Sequence, residues 1–379
     1  MRGKLTAPVL IVDSPENCAD LRHASGFWAP DPLVFLMTNT AAYLIVSPLE
    51  QGRAQQLAKR EPRRCLKIVT PDGLGLTGPR RRLLGEWAVA LLRREGIRRV
   101  QVPSTFPLAT ARRIEACGIA VAVAQKALFP GREVKTAGET KNITESQRAA
   151  VAAMRAAIRR IRGAAIGPGG ALRAGRRHLC AEDVKQEIHA TLLKQGALCR
   201  DVIVACGAQA ADPHERGHGL LRAGATIVID IFPQHMAHGY WGDLTRTVVR
   251  GRATNELKRM YAAVKASQAA ALGAIRPGAS CPKVHDAAAA ALAQRGYATK
   301  DVDGRPEGFI HSTGHGVGLE IHEAPSLGRT PGRLRCGNVV TVEPGLYYGK
   351  LGGIRIEDTV LVSRGGWEYL ARCPHVFEV

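Results

Sequence analysis

Three acidic residues sit inside runs of β-branched and aliphatic sequence that leave no room for an exposed charge. Asp230 lies within Thr-Ile-Val-Ile-Asp-Ile-Phe, Glu343 follows Val339, Val340 and Val342, and Glu357 lies between Ile354/Ile356 and Val360/Leu361. A lone buried carboxylate is costly, so each of these acids needs a partner. Asp243 opens Asp-Leu-Thr-Arg-Thr, and His315 stands in Gly-His-Gly-Val-Gly-Leu-Glu-Ile-His-Glu. If the four acids converge, each pair ~4 Å apart repels by about 4 kcal/mol at an effective dielectric near 20. Summed over all pairs, that rivals the ~5–15 kcal/mol by which a domain is stable. Two divalent cations would balance four carboxylates, with the imidazole completing a donor set suited to Mn, Zn, Co or Fe. Taken singly, each residue has an ordinary reading. A strand Asp can mark a turn or an edge, Glu-Pro-Gly a strand end, and Arg355 beside Glu357 a cross-strand ion pair.

Composition narrows the class. The chain has 379 residues, 45% hydrophobic and 23% charged, enough for two domains of roughly 100–200 residues with real cores. Wholly disordered and fibrous chains are excluded. Apolar runs such as Ile227–Phe232 fall short of the ~20 residues of a membrane span. The start, Met-Arg-Gly-Lys-Leu-Thr-Ala-Pro, lacks an apolar signal core, and a cytoplasmic protein without a membrane partner is expected. The nine cysteines include no C-x-x-C pair, which points away from a disulfide framework or thiolate zinc site. The formal charge is +20, spread as 21 bases against 11 acids in residues 1–135 and 32 against 22 in 136–379. An excess so evenly placed reads as a solvated basic surface rather than a specific nucleic-acid site.

The order of elements predicts an α/β domain over residues 1–135 and an α+β domain over 136–379. In the first, strands are expected at 9–12, 42–46, 65–69 and 100–102, with helices at 50–59 and 80–95. In the second, Thr144 is expected to cap a helix running to about Arg162. Further helices are expected near 181–195, 255–275 and 283–294, with strands at 202–206, 225–232, 244–249, 338–342 and 354–362. Helices covering one face of a largely antiparallel sheet account for that order.

The second part resembles the M24 metallopeptidases, a pita-bread fold that includes methionine aminopeptidases, Xaa-Pro aminopeptidases and prolidases. The resemblance rests on Val-Ile-Asp-Ile-Phe-Pro with Gly-Tyr-Trp-Gly-Asp-Leu-Thr-Arg-Thr, on His-Ser-Thr-Gly-His-Gly-Val-Gly-Leu-Glu-Ile-His-Glu-Ala-Pro, on Val-Glu-Pro-Gly-Leu-Tyr and on Arg-Ile-Glu-Asp. More weakly, Leu-Arg-His-Ala-Ser-Gly-Phe in the first part resembles the creatinase/prolidase-type N-terminal domain. The resemblance implies two divalent metal ions, manganese first, with cobalt, zinc or iron also accepted. Asp230 would chelate one ion, Asp243 and Glu357 would bridge both, and His315 and Glu343 would hold the other. It further implies attack by a metal-bridging hydroxide, with Glu343 moving the proton and His322 stabilising the tetrahedral intermediate. His214 would line the substrate side, His311 and Arg355 would match the Xaa-Pro branch, and Thr245 would support a ligand carboxylate. His218, His235 and His238 receive no role.

The implied function is an aminopeptidase acting on peptides with proline second, with prolidase activity on dipeptides as the alternative. A homodimer without nucleic-acid or membrane partners is implied as well. Metal-free amidinohydrolases and lyases of the same fold alter the ligand set that is complete here. A noncatalytic binding protein of the same fold would take up no transition metal. Twelve residues separate Asp230 from Asp243, two more than the usual family spacing. An insertion of two preserves strand parity, so both carboxylates are expected on one face.

Overall fold

The computed structural model describes residues 5–379; the Met1–Lys4 stretch, part of the N-terminal reading above, lies outside the described residues. The chain divides into two compact units, one ending at Arg132 and the other spanning Glu133–Val379. Among the described residues, no helix is long and apolar enough to cross a membrane. None of the nine cysteines is paired.

The first unit is built on a six-stranded mixed sheet, in the order Leu66–Val69, Ala42–Ile45, Leu33–Met37, Val9–Asp13, Arg99–Val102, Ala120–Val123. Leu33–Met37 and Ala120–Val123 were not anticipated, nor were the helices Ala19–Ser25 and Leu108–Glu115. Leu-Val-Phe-Leu-Met is buried on both faces, so it lacks the alternation that betrays a half-exposed strand. Its side chains nevertheless divide with period two. Val34 and Leu36 join Leu10, Val12 and Ile45 under the helix Leu84–Arg94, while Leu33, Phe35 and Met37 join Val9 and Ile11 on the face that holds Leu21 and Ala54. The helix expected over 80–95 is interrupted. A 3-10 turn spans Gly78–Arg82, Leu83 is extended, and the α-helix starts at Leu84. The Arg81 carbonyl accepts the Trp87 indole N–H instead of a helical amide.

In the second unit a long helix runs Ala137–Arg162, starting earlier than the Thr144 cap expected. Thr136 and Glu139 form a reciprocal capping box, which satisfies two amides at once. Thr144 instead donates back to the Thr140 carbonyl inside the helix. Helices Ala181–Lys194, Asn255–Ala274 and Cys281–Ala293 follow. One antiparallel sheet orders Ile203–Cys206, Thr226–Ile231 and Leu244–Val249. Another orders Glu323–Leu327, Gly314–Gly316, Val339–Val342, Asp358–Ser363 and Gly366–Tyr369.

Strand parity decides what faces the helices. Ile227, Ile229, Ile231, Leu244 and Val248 pack in one core with the first two helices. Val340, Val342, Ile354, Ile356, Val360 and Val362 pack in another with the last two. The intervening residues, among them Asp230, Thr245, Thr341, Arg355 and Glu357, are thereby turned to the opposite face. The single strand expected over 354–362 is two strands, Gly352–Arg355 and Asp358–Ser363. At the break the Glu357 amide leaves the hairpin to donate to the Thr245 carbonyl at 3.1 Å.

Gly314 lies hard against the strand Val339–Val342: a Cβ there would sit 2.0 Å from the Thr341 carbonyl oxygen. Gly314→Ala should therefore force apart the strands that carry His315 and lead to Glu343. Thermal denaturation should show a loss of roughly 2 kcal/mol or more, about 4 °C or more in Tm.

Candidate active site

Five residues expected as ligands meet in one place. Asp230 faces Thr245 across an antiparallel pair whose register continues through Ile231 and Leu244. Directly opposed residues point to the same side, so Asp243, two positions from Thr245, shares the face of Asp230. The parity expected for the longer connection therefore holds. Ligand-type atoms of Asp243, His315 and Glu357 lie within 4.8 Å of one another. His315 Nε2 lies 3.3 Å from Glu343 Oε1 and 3.6 Å from Asp243 Oδ2. With His214, His311, His322 and Arg355, all five line a cavity of about 1100 Å³.

The site is held by bonds the sequence did not advertise. Gln147, on the long helix, accepts the Asp243 amide at 2.8 Å and donates to its carbonyl at 2.7 Å. Thr245 donates to Glu357 Oε2 at 2.8 Å, the support expected of it. Arg355 does not pair with its neighbour Glu357 but donates to Asp230 Oδ2 at 2.7 Å. Its other arm donates to the Tyr347 hydroxyl at 2.8 Å, and that hydroxyl meets His311 Nε2 at 2.9 Å. Because His311 Nδ1 faces the Ser312 carbonyl, which can only accept, the hydroxyl proton points to Nε2. Both His311 ring nitrogens are thus engaged, and Nε2 is linked through Tyr347 and Arg355 to Asp230. The sequence motif that contains Tyr347 does not single it out. In Gly-Leu-Tyr-Tyr it reads as an apolar strand residue, and only its buried hydroxyl reveals the connection. His322 stands edge-on to His315, ring centres 4.3 Å apart. His214 lines the cavity, its amide held by Asp212 Oδ1 at 3.0 Å.

Burial, then the charges of Glu357, Asp230 and Glu343, push the Asp243 carboxyl well above its ordinary range. Burial, then Glu343 and Asp230, do the same to Glu357. Burial pushes Glu343 upward too, but the hydrogen bond and charge of His315 outweigh it and bring Glu343 down to about 2. Burial holds His311 and His322 below the usual imidazole range, which favours their neutral forms.

A metal fits this donor set. Asp230 Oδ1 and Glu357 Oε1 are buried with no hydrogen-bond partner, a costly state unless a cation takes the lone pairs. His315 Nδ1 faces the Gly316 carbonyl at 3.1 Å and keeps its proton there, so Nε2 is the nitrogen aimed at the acids: without a metal it donates to Glu343, and it would offer its lone pair once a cation displaced that proton. A second group, Glu145, His235 and His238, behaves differently. Its two imidazoles stack 4.1 Å apart at 11°, so their in-plane lone pairs run side by side without converging. Each Nδ1 already accepts a backbone amide.

The family model for metallopeptidase family M24 matches residues 141–364. The chain belongs to this metal-dependent family. It is 34% identical over 195 residues to the uncharacterized peptidase YqhT of Bacillus subtilis, covering 50% of this chain and 52% of the relative. It is 37% identical over 174 residues to an Xaa-Pro dipeptidase of Pyrococcus furiosus, covering 45% and 47%. The match thus spans about half the length of these curated relatives. The solved Xaa-Pro dipeptidase of Bacillus anthracis superposes with a TM-score of 0.82 at 26% identity, covering 98% of this chain and 95% of that one. The M24 pita-bread fold with its two-domain organisation follows.

Replacing one crowded carboxylate should separate metal binding from folding. Asp243→Asn removes a charge that burial and three acids oppose, so the metal-free variant should gain about 1 kcal/mol at neutral pH, roughly 2–4 °C in Tm. The upshifted carboxyl also sets a sign: its contribution favours the folded metal-free parent at low pH and fades as pH rises through the raised value. Differential scanning fluorimetry across pH should show that decline flattened in the variant. The Tm rise on adding Mn²⁺ should vanish.

Proposed function

We propose that this chain is a metallopeptidase that removes the N-terminal residue from peptides with proline in second position. The observation that carries the reading is the convergence of Asp230, Asp243, His315, Glu343 and Glu357 on one cavity with orphaned carboxylate oxygens. In this reading Asp230, Asp243, His315, Glu343 and Glu357 would together hold two divalent ions, manganese first. When bound, such a pair would neutralise the acids, polarise a carbonyl oxygen and acidify water.

The chain's own residues do the rest. Glu343, whose Oε1 lies 3.3 Å from His315 Nε2, would receive a proton at its carboxylate and return it to the leaving nitrogen. His322, kept neutral by burial, donates an N–H to the oxygen that gains charge as the peptide carbonyl is attacked. Arg355, Tyr347 and His311 lock the Asp230 carboxylate in one orientation, and His214 flanks the substrate. The homodimer and cytoplasmic location belong to the same reading; light scattering checks the first.

A strict dipeptidase is the second reading, favoured by the names of the Pyrococcus furiosus and Bacillus anthracis relatives. Xaa-Pro and Xaa-Ala peptides of two to five residues, assayed with Mn²⁺, Co²⁺, Zn²⁺ or Fe²⁺, decide between them. Release of the first residue from Xaa-Pro tripeptides and longer substrates is the expected result. Cleavage of dipeptides alone would leave the dipeptidase, and no Xaa-Pro cleavage with any metal overturns both. Glu343→Gln should lower kcat by about 10²–10⁴ on the best substrate, measured at saturating metal.

A further inference from the structure

We propose that Arg246 is a positioning residue for the metal-binding carboxylates, acting from the opposite face of the sheet. Arg246 follows Thr245 on the strand Leu244–Val249 and opposes Ile229, so it points away from the cavity into which Asp243 faces. It is 1% exposed, among the largest fully buried side chains of the protein. A guanidinium carries five N–H donors, and here each has an acceptor. Nε donates to the Pro374 carbonyl at 3.3 Å, and Nη1 donates to the carbonyls of Thr245, at 2.9 Å, and Glu357. Nη2 donates to Asp358 Oδ1 and to the Cys373 carbonyl, both at 2.7 Å.

Two of those acceptors belong to residues whose side chains work on the other face. Thr245 and Glu357 are joined there by the hydroxyl-to-carboxylate bond and by the Glu357 amide on the Thr245 carbonyl. One planar group therefore sets the spacing between the strand that begins after Asp243 and the segment that carries Glu357. Asp358 balances its charge, and the second oxygen of that carboxylate is held by Gln268 at 3.0 Å and His375 at 3.1 Å.

A buried ion pair is weak evidence for stability, because apolar side chains could fill the same volume without the desolvation penalty. What the guanidinium adds is a fixed fork of directions. Lysine cannot reproduce it with three donors on a flexible stem.

The inference rests on the metal reading of the five-residue cluster but not on the identity of the peptide substrate. It is tested on the full chain with Mn²⁺ alone as probe, by calorimetric titration, alongside the Tm of the metal-free protein and kcat and KM on an Xaa-Pro peptide. Arg246→Lys and Asp358→Asn should weaken Mn²⁺ binding by roughly 10–100-fold and reduce kcat more than they raise KM. Leu92→Ala, which opens a cavity under the helix Leu84–Arg94 in a core of the first unit that no ligand residue shares, should lower Tm while leaving Mn²⁺ affinity within about twofold, as an independent site would. Parental affinity in Arg246→Lys, or in Asp358→Asn should the lysine variant not fold, overturns the proposal. So does a Leu92→Ala variant whose affinity falls in step with its Tm. A parent chain that takes up no Mn²⁺ removes the metal reading and this one together.

Discussion

Mutual repulsion among buried carboxylates governs the second unit of this protein. Asp230, Asp243, Glu343 and Glu357 share one cavity, and two of them are driven well above their ordinary pKa by burial and by one another. The surroundings answer that charge piece by piece. Arg355 neutralises one Asp230 oxygen, His315 draws Glu343 into its ionised form, and Thr245 supports one Glu357 oxygen. What remains is an orphaned oxygen on each of Asp230 and Glu357, donors of the kind a divalent cation takes.

The sheets make this concentration of charge affordable by separating it from the cores. Along Thr226–Ile231 the isoleucines pack against helices while Asp230 faces the cavity, and the same alternation holds around Glu343 and Glu357. Each acid is thus one residue away from side chains that stabilise the fold by burial. Rigidity comes with the arrangement. Helix Ala137–Arg162 reaches Asp243 through Gln147, and the hairpin that carries Arg355 reaches Asp230. Positioning groups on such elements hold a site more tightly than loops can.

Much of this was legible in the residues. Acids inside β-branched runs announced burial without a visible counterion, and the two-residue lengthening between Asp230 and Asp243 kept parity, as the pairing register bears out. Helix boundaries governed by apolar spacing, such as Asn255–Ala274, matched closely. The misses have local causes. The capping box at Thr136 started the long helix early, Leu33–Met37 lacked alternation because both its faces are covered, and Glu357 broke a strand that its apolar neighbours would have continued.

The sequence by itself determined which groups carry charge, which face of each strand they occupy and which family the motifs resemble, because those properties depend on residue identity and a period of two. Only the tertiary structure decided who partners whom. Thr245 meets Glu357 across 112 residues, Arg355 meets Asp230 across 125, and Arg246 gathers acceptors from Glu357 to Pro374. Contacts at that separation follow from sheet register and helix docking, which no local pattern encodes. That is why Arg355 was free to choose Asp230 over the glutamate two residues away, and why Gln147 and Tyr347 became visible only when the strands were in place.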